Sequence, residues 1–138
     1  MIIINFQFTN DSPTYFIADI AANHDGDIER AKDLIFLAAE AGADFVKFQT
    51  FKTENIITPE APKSNYHIET TGDDKDQTWF ELLKTQEMSK GMHVDLIEYC
   101  NKKGIIFLST RYDLESVDLL VELHVPAFKL ASTVTSNI

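Results

Sequence analysis

Two lysines interrupt apolar segments at positions where a buried strand would carry a hydrophobic residue. Lys47 lies in "DFVKFQT" and Lys129 lies in "AFKLAS". Amide and hydroxyl groups follow at Gln49 and Ser132, and Thr110 ends a third apolar segment. Ammonium and hydroxyl groups donate strong hydrogen bonds to phosphate and carboxylate oxygens. The pattern predicts a site for an anionic ligand, with extension of either lysine to solvent along its aliphatic stem as the alternative.

A carboxylate, Asp19, lies inside the first apolar segment, "TYFIADIAA". Because an unpaired buried charge is costly, Asp19 requires a partner, which a neighbouring lysine would supply as well as a catalytic role would. His24 follows this segment close to Gly26 and is equally well explained as a turn residue. Ser109 and Thr110 likewise could cap backbone groups where their segment ends.

The elements that must position these residues alternate between strand and helix. Apolar runs predict strands at 14–22, 44–48, 105–110 and 127–132. Helical spacing and N-cap residues predict helices at 28–41, 79–85, 90–103 and 114–124. This order is typical of an α/β fold with a parallel sheet and right-handed crossovers. The carboxyl ends of parallel strands form one ligand-binding rim, so the polar residues should gather there.

The segment 51–78 is too long for a plain connector between a strand and a helix. It contains two prolines and a mostly acidic tract at 73–76. Long excursions of this kind are usually functional loops or disordered segments. Weak apolar clusters at 56–57 and 66–68 predict partial order.

The composition is that of a soluble globular domain, with 44% hydrophobic and 25% charged residues in 138. A net charge of −10 opposes binding to nucleic acid or to an anionic membrane, so neither is expected as a partner. No apolar run is long enough to span a membrane, and the start lacks a basic leader and a cleavage site, which predicts an unprocessed cytoplasmic protein. The single cysteine, Cys100, is expected to be a small buried hydrophobe.

Four short segments, "ANHDGD", "GADFVKFQTF", "GIIFLST" and "FKLAS", resemble the sialic acid synthase family in their order and spacing. The resemblance runs from about Tyr15 to Ile138. That family condenses phosphoenolpyruvate with N-acetylmannosamine or a related amino sugar, giving N-acetylneuraminate, legionaminate or pseudaminate. The resemblance implies that residues 1–138 form the N-terminal half of a catalytic TIM (β/α)8 barrel. They would be one truncated domain, without the second half-barrel and the C-terminal antifreeze-like domain.

The resemblance also implies roles for the polar residues. Phosphoenolpyruvate would be bound by Lys47, Thr110, Lys129 and Ser132. Catalytic roles would fall to Asp19, which stands where the family usually has a glutamate near the sugar, and to Gln49, which would face the sugar.

Cofactor and partners follow from the same resemblance. A divalent metal, Mn²⁺ or Mg²⁺, is expected for the complete enzyme, which is expected to be a homodimer. The metal ligands are expected outside this chain, because no family metal ligand is matched by the histidines at 24, 67, 93 and 124. Arg111 and Val134 depart from the family's pattern, which leaves the acceptor sugar open. The alternative to an enzyme is a non-catalytic α/β module that binds an anionic ligand or a partner subunit.

Overall fold

A four-stranded parallel sheet is the frame of the protein in the computed structural model, which describes residues 2–3, 6–71 and 77–135. In chain order the strands are β1 (Ile2–Ile3), β2 (Phe6–Gln7), β3 (Ile17–Ala21), β4 (Phe45–Thr50), β5 (Ile106–Arg111) and β6 (Phe128–Leu130). The helices are α1 (Ile28–Glu40), α2 (Thr53–Ile56), α3 (Asn65–Thr71), α4 (Trp79–Gln86), α5 (Lys90–Lys103), α6 (Leu114–Glu122) and α7 (Ser132–Thr135). Strands β1 and β2 pair antiparallel, and the large sheet has the order β3-β4-β5-β6 with parallel neighbours. The predicted α/β class is therefore confirmed.

One face of the large sheet forms the hydrophobic core with the helices. Val46 and Phe48 of β4 and Phe107 of β5 belong to one cluster with Ile35 of α1 and Leu96 of α5. The Phe48 and Phe107 rings stack with their centroids 5.2 Å apart. Because side chains alternate along a strand, the residues between these positions point to the opposite face.

The helices begin where capping chemistry predicts. The Asp27 side chain accepts hydrogen bonds from two backbone N–H groups of the first turn of α1. Ser89 caps α5 and Asp113 caps α6 in the same way. Each cap satisfies backbone donors that the first helical turn leaves unpaired, and is worth about 1 kcal/mol. Cys100 is fully buried in α5, as expected.

The predicted carboxyl end of the last strand, at Ser132, is wrong. Strand β6 spans Phe128–Leu130, and Ser132 begins α7 instead of ending the strand. The backbone N–H groups of Val134 and Thr135 both donate to the carbonyl of Ala131, which closes a helical turn at this point.

Apolar spacing in α6 predicts an inward-facing stripe of Leu114, Val117, Leu120 and Val121, which the structure confirms only in part. Ser116 and Leu120 are buried, whereas Leu114 and Val121 are 79% and 55% exposed. At about 100° per residue, Ser116 and Leu120 lie on nearly the same side of the helix and Leu114 lies on the other. The packed side of α6 therefore includes a serine that an apolar pattern does not select.

The long excursion after β4 is partly ordered, as predicted. It contains α2 and α3 and leads into α4, which starts with a capping box between Thr78 and Glu81. The Lys84 ammonium on α4 lies 2.6 Å from the Glu54 carboxylate on α2, which ties the two helices together. The acidic tract at 73–76 lies outside the described residues.

The face of the sheet opposite the core is covered only in part. The Phe6 ring of β2 lies 4.8 Å from the Phe45 ring at the start of β4, so the N-terminal strands cover the amino end of this face. Ile17 in the edge strand β3 is 54% exposed. Among the residues that the structure describes, no helix combines the length and the apolar character needed to cross a membrane.

Candidate functional site

Five of the predicted site residues lie on the partly open face of the large sheet. We call this the polar face and define it by Asp19, Lys47, Gln49, Thr110 and Lys129. Paired positions of parallel strands point to the same side, and the register pairs these residues across four strands. Strands β3 to β6 thus bring the residues together.

Asp19 and Lys47 form an ion pair across β3 and β4. The two residues are register partners, and Lys47 Nζ lies 2.8 Å from Asp19 Oδ1. The Lys47 side chain is only 9% exposed, whereas that of Asp19 is 60% exposed. Lys47 therefore does not extend to solvent. Because the lysine is far more buried than Asp19, the lysine is the residue that requires a charged partner.

Gln49, Thr110 and Lys129 form a row across β4, β5 and β6. Gln49 pairs with Thr110, and Thr110 pairs with Lys129. Neighbouring strands lie about 4.8 Å apart, so Lys129 is roughly 10 Å from β4 at this level. Lys47 lies two residues before Gln49 on β4, and its ammonium is paired with Asp19 on β3, on the side of β4 away from β6.

The hydroxyl of Thr110 is a buried donor with no partner among the described residues. Leaving such a group unsatisfied costs about 1–3 kcal/mol. Ser109 points to the core, where its hydroxyl lies 2.6 Å from that of Thr50. Ser132 is exposed at the start of α7, so the strand register does not bring it to the polar face.

A cleft of about 910 Å³ opens beside the carboxyl ends of β3, β4 and β5. Gln49 is the residue of the polar face that lines it, and Lys47, Thr110 and Lys129 do not. The other walls come from the loop after β3, including Asn23, and from α4. The site thus has two parts, the lysine-bearing polar face and a larger cleft, which share Gln49.

Tyr112 is a titratable residue of the cleft. It lines the cleft next to the end of β5. Burial, and to a lesser extent the Asp19 carboxylate, raises the pKa of the Tyr112 phenol. Within the cleft, Arg30 and Asp25 form an ion pair of 2.6 Å whose side chains are both about half exposed.

Buried polar groups lie beneath the polar face, on its core side. Thr50 Oγ1 is 2.9 Å from His93 Nε2 and 2.6 Å from Ser109 Oγ. His24 is also fully buried, and its Nδ1 accepts a hydrogen bond from the backbone N–H of Gly26. His24 is thus a turn residue, as one reading of the sequence held, but one that is enclosed in the core.

The two buried histidines are expected to make the fold sensitive to mild acid. Burial lowers the pKa of both His24 and His93. Below the unfolded value of about 6.5, the unfolded chain binds more protons than the native one, so the free energy of unfolding falls as the pH drops from 6.5 towards the lower native values. Urea unfolding at pH 7.5 and pH 5.5 should show the loss. His93→Gln should reduce it.

The control for this measurement is His124→Asn. His124 is exposed and has a φ of 53°, a conformation that asparagine tolerates. The pH dependence of this variant should match that of the wild type. A wild-type urea midpoint that does not change between the two pH values would contradict the prediction.

Sequence reasoning missed His93, Thr50 and the lining of the cleft. His93 directly follows Met92 in the helical pattern. Because histidine is polar, a search for an apolar stripe does not place it among the buried residues of α5. The contact of Thr50 with His93 joins residues 43 positions apart. The N-cap residue Ser89 offers a signal for the position of His93, because the side chain four positions after an N-cap points back towards the first turn of the helix.

Comparison with known proteins identifies relatives for most of the chain. A family model described as the NeuB family matches residues 34–138. The N,N'-diacetyllegionaminic acid synthase of Campylobacter jejuni is 45% identical over 125 residues, which are 91% of this chain and 37% of the relative. The human N-acetylneuraminate-9-phosphate synthase is 35% identical over 91% of this chain and 34% of its own length.

Solved structures agree with the sequence comparison. The N-acetylneuraminic acid synthetase of Leptospira borgpetersenii superposes with a TM-score of 0.74 at 29% identity, over 96% of this chain and 42% of that one. A spore coat polysaccharide biosynthesis protein of Bacillus subtilis gives a TM-score of 0.70 at 38% identity, over 96% and 33%. The fold is consistent with the N-terminal half of a (β/α) barrel.

These matches are extensive along this chain, which itself spans about a third of the length of the curated relatives. The relatives are synthases of sialic acid and related nonulosonic acids. With more than half of its residues matched by one family model, the chain belongs to the NeuB family.

Proposed function

We propose that this chain supplies the phosphoenolpyruvate-binding strand ends of a synthase that condenses phosphoenolpyruvate with N-acetylmannosamine or a related amino sugar. The observation that carries the proposal is the shared face of Lys47, Thr110 and Lys129 on three neighbouring strands. Phosphoenolpyruvate carries a phosphate and a carboxylate, so it matches two cations separated by a hydroxyl donor. The names of the relatives, which are synthases of legionaminic and neuraminic acids, support the same class of reaction.

The electrostatics of the polar face support an anionic ligand. The chain carries a net charge of −10, which repels anions at long range. An anion bound here therefore needs local cations and hydrogen-bond donors. Lys47 is mostly buried with one carboxylate beside it, and an ammonium has three N–H donors, so donors remain for a ligand. A ligand oxygen next to Thr110 would also satisfy the buried hydroxyl.

The cleft supports an acceptor sugar next to that anion. In the proposed reaction, C3 of phosphoenolpyruvate forms a C–C bond to the aldehyde carbon of the open-chain sugar. Water adds at C2, and phosphate leaves by C–O cleavage. Gln49 borders both the polar face and the cleft, so its amide would lie where the two substrates meet. The Tyr112 phenol and Asp19 would lie at the same boundary, within reach of the developing hydroxyl.

The described part of the chain does not fit a divalent metal. Among residues 2–3, 6–71 and 77–135, no group of three His, Cys, Asp or Glu side chains is arranged to hold a metal ion. No step of the proposed reaction is assigned to a metal held by these residues. In the proposed enzyme, the metal would be bound by residues outside those that build the polar face.

The test is binding of phosphoenolpyruvate to the 138-residue chain, followed by an activity assay. Titration calorimetry should detect phosphoenolpyruvate binding that is tighter than that of inorganic phosphate, because phosphate lacks the second anionic group. With Mn²⁺, phosphoenolpyruvate and N-acetylmannosamine, the isolated chain should form no condensation product, since its described residues build no metal site.

Two outcomes would contradict these expectations. Absence of phosphoenolpyruvate binding would favour the non-catalytic module over the synthase. Turnover by the isolated chain would refute the claim that these residues bind one substrate but do not complete the catalytic centre.

A further inference from the structure

The ends of β4 and β5 are joined on the core side, directly beneath the proposed anion site. The hydroxyls of Thr50 and Ser109 lie 2.6 Å apart, and Thr50 Oγ1 lies 2.9 Å from Nε2 of His93 on α5. All three side chains are buried. A chain of hydrogen bonds therefore ties the two strand ends to a helix.

The hydrogen bonds in this chain have a defined direction. His93 Nδ1 lies 2.9 Å from the carbonyl oxygen of Ser89, which can only accept, so Nδ1 carries the ring hydrogen. Nε2 of the neutral ring then accepts the hydrogen bond from Thr50. The Thr50 oxygen in turn accepts from Ser109. The Thr50 hydroxyl thus donates to His93 and accepts from Ser109, whose only other acceptor among the described residues is the carbonyl oxygen of Thr110 at the longer distance of 3.5 Å.

The position of this chain coincides with the end of the backbone ladder. Thr50 and Arg111 are the last paired residues of β4 and β5, and both strands leave the sheet after them. On the other side of the sheet, the Thr110 hydroxyl has no partner among the described residues. Its placement thus depends on the backbone, which the link between Thr50 and Ser109 restrains. Three apolar side chains would fill the same space without the cost of burying polar groups.

We propose that His93 is a positioning residue, which acts through Thr50 and Ser109 to hold Gln49 and Thr110 side by side on the polar face. This inference rests on the proposed phosphoenolpyruvate site and adds a group that does not touch the ligand. The core side of the sheet thereby fixes the geometry of its ligand-binding side.

The test compares Thr50→Val with Thr50→Ser in the 138-residue chain. Valine keeps the shape and removes the hydroxyl, whereas serine keeps the hydroxyl. We expect Thr50→Val to weaken phosphoenolpyruvate binding roughly tenfold, the equivalent of one net hydrogen bond, and Thr50→Ser to stay within about twofold of the wild type. Circular dichroism and urea unfolding would verify that each variant is folded. Ser109→Ala, which removes the other hydroxyl, replaces Thr50→Val if that variant does not fold.

Ring nitrogen NMR of His93 provides a readout that does not depend on the ligand. We expect the Nδ1–H tautomer, with an Nε2 shift that changes in Thr50→Val and is retained in Thr50→Ser. An Nε2–H tautomer would overturn the assigned directions. Equal phosphoenolpyruvate affinities of wild type and a folded Thr50→Val would overturn the positioning role and leave the proposed function standing. If the wild type binds no phosphoenolpyruvate, the proposed function fails, and the positioning role fails with it, while the NMR signature of the hydrogen-bonded chain persists.

Discussion

Replacing Lys47 with alanine is expected to weaken phosphoenolpyruvate binding by roughly 10- to 100-fold, because a charge-assisted hydrogen bond is lost. The side chain is only 9% exposed, so solvent screens its contact with a ligand only weakly. Lys129→Ala should act in the same direction. Its effect should be smaller, since Lys129 is solvent-exposed and its contact with the anion is screened. Titration calorimetry with phosphoenolpyruvate at constant ionic strength measures both effects.

The matched control for both lysines is Lys102→Ala. Lys102 is exposed in the last turn of α5, at the end of the helix away from the strand carboxyl ends. Lys102→Ala changes the net charge of −10 by the same amount as Lys47→Ala. Any difference in phosphoenolpyruvate affinity between the two variants therefore reports a local contact and not the overall field. If Lys47→Ala and Lys129→Ala both bind as tightly as Lys102→Ala, Lys47 is only a structural ion-pair partner and Lys129 only a surface lysine.

Asp19→Asn is the second control, because it leaves the Lys47 ammonium in place. The pair at 2.8 Å supplies the counter-charge of a mostly buried cation, and the substitution removes it. A bound anion would then supply the missing charge. Phosphoenolpyruvate should therefore bind to Asp19→Asn at least as tightly as to the wild type. Weaker binding would mean that the ion pair with Asp19 is needed to orient the Lys47 ammonium towards the ligand.

The parts of the fold that depend on neighbouring residues could be predicted from the sequence. The side chains of Asp27, Ser89 and Asp113 cap helices within three residues of themselves, so local chemistry determines where α1, α5 and α6 begin. The period of two in β4 placed Lys47 and Gln49 on one side of the strand. The placement of five candidate residues on one face of the sheet could be predicted to the same extent, since the carboxyl ends of parallel strands meet at one edge.

The rest depends on contacts between distant residues. The link between Thr50 and Ser109 joins residues 59 positions apart, and no local pattern marks either hydroxyl as buried. The cleft requires the path of the excursion after β4, which returns to the loop after β3 at Gln86. The segment 127–132 predicts a strand that reaches Ser132, but a turn closed on Ala131 competes with the sheet there.

Replacing Gly26 with alanine is expected to produce the largest loss of stability among single changes in the loop after β3. Gly26 has a φ of 79°, which costs a residue with a Cβ about 1–2 kcal/mol. A Cβ at this position would also lie well inside van der Waals contact with the backbone carbonyl oxygen of Thr85. Moving the backbone at the end of α4 adds about 1–3 kcal/mol. Urea unfolding at pH 7.5 measures the sum.

Gly42→Ala separates the two contributions. Gly42 has nearly the same φ, 81°, and a Cβ there would meet no atom within 4 Å. The stability lost in Gly42→Ala should therefore be the conformational cost alone. The difference between the Gly26 and Gly42 variants isolates the close approach of the loop after β3 to α4. Equal losses in the two variants would show that Thr85 can move aside at no cost.

The close approach of the loop after β3 to the backbone of α4 also determines the expected effect of Gly26→Ala on ligand binding. Gln86 Nε2 lies 3.5 Å from Asp25 Oδ1, so the contact that Gly26 permits forms one wall of the cleft. The polar face is built from the sheet and does not include this loop. At temperatures where the variant is folded, Gly26→Ala should thus retain its affinity for phosphoenolpyruvate despite its lower stability. A parallel loss of phosphoenolpyruvate affinity would mean that the anion contacts the wall of the cleft, and that the two parts of the site cannot be separated in this way.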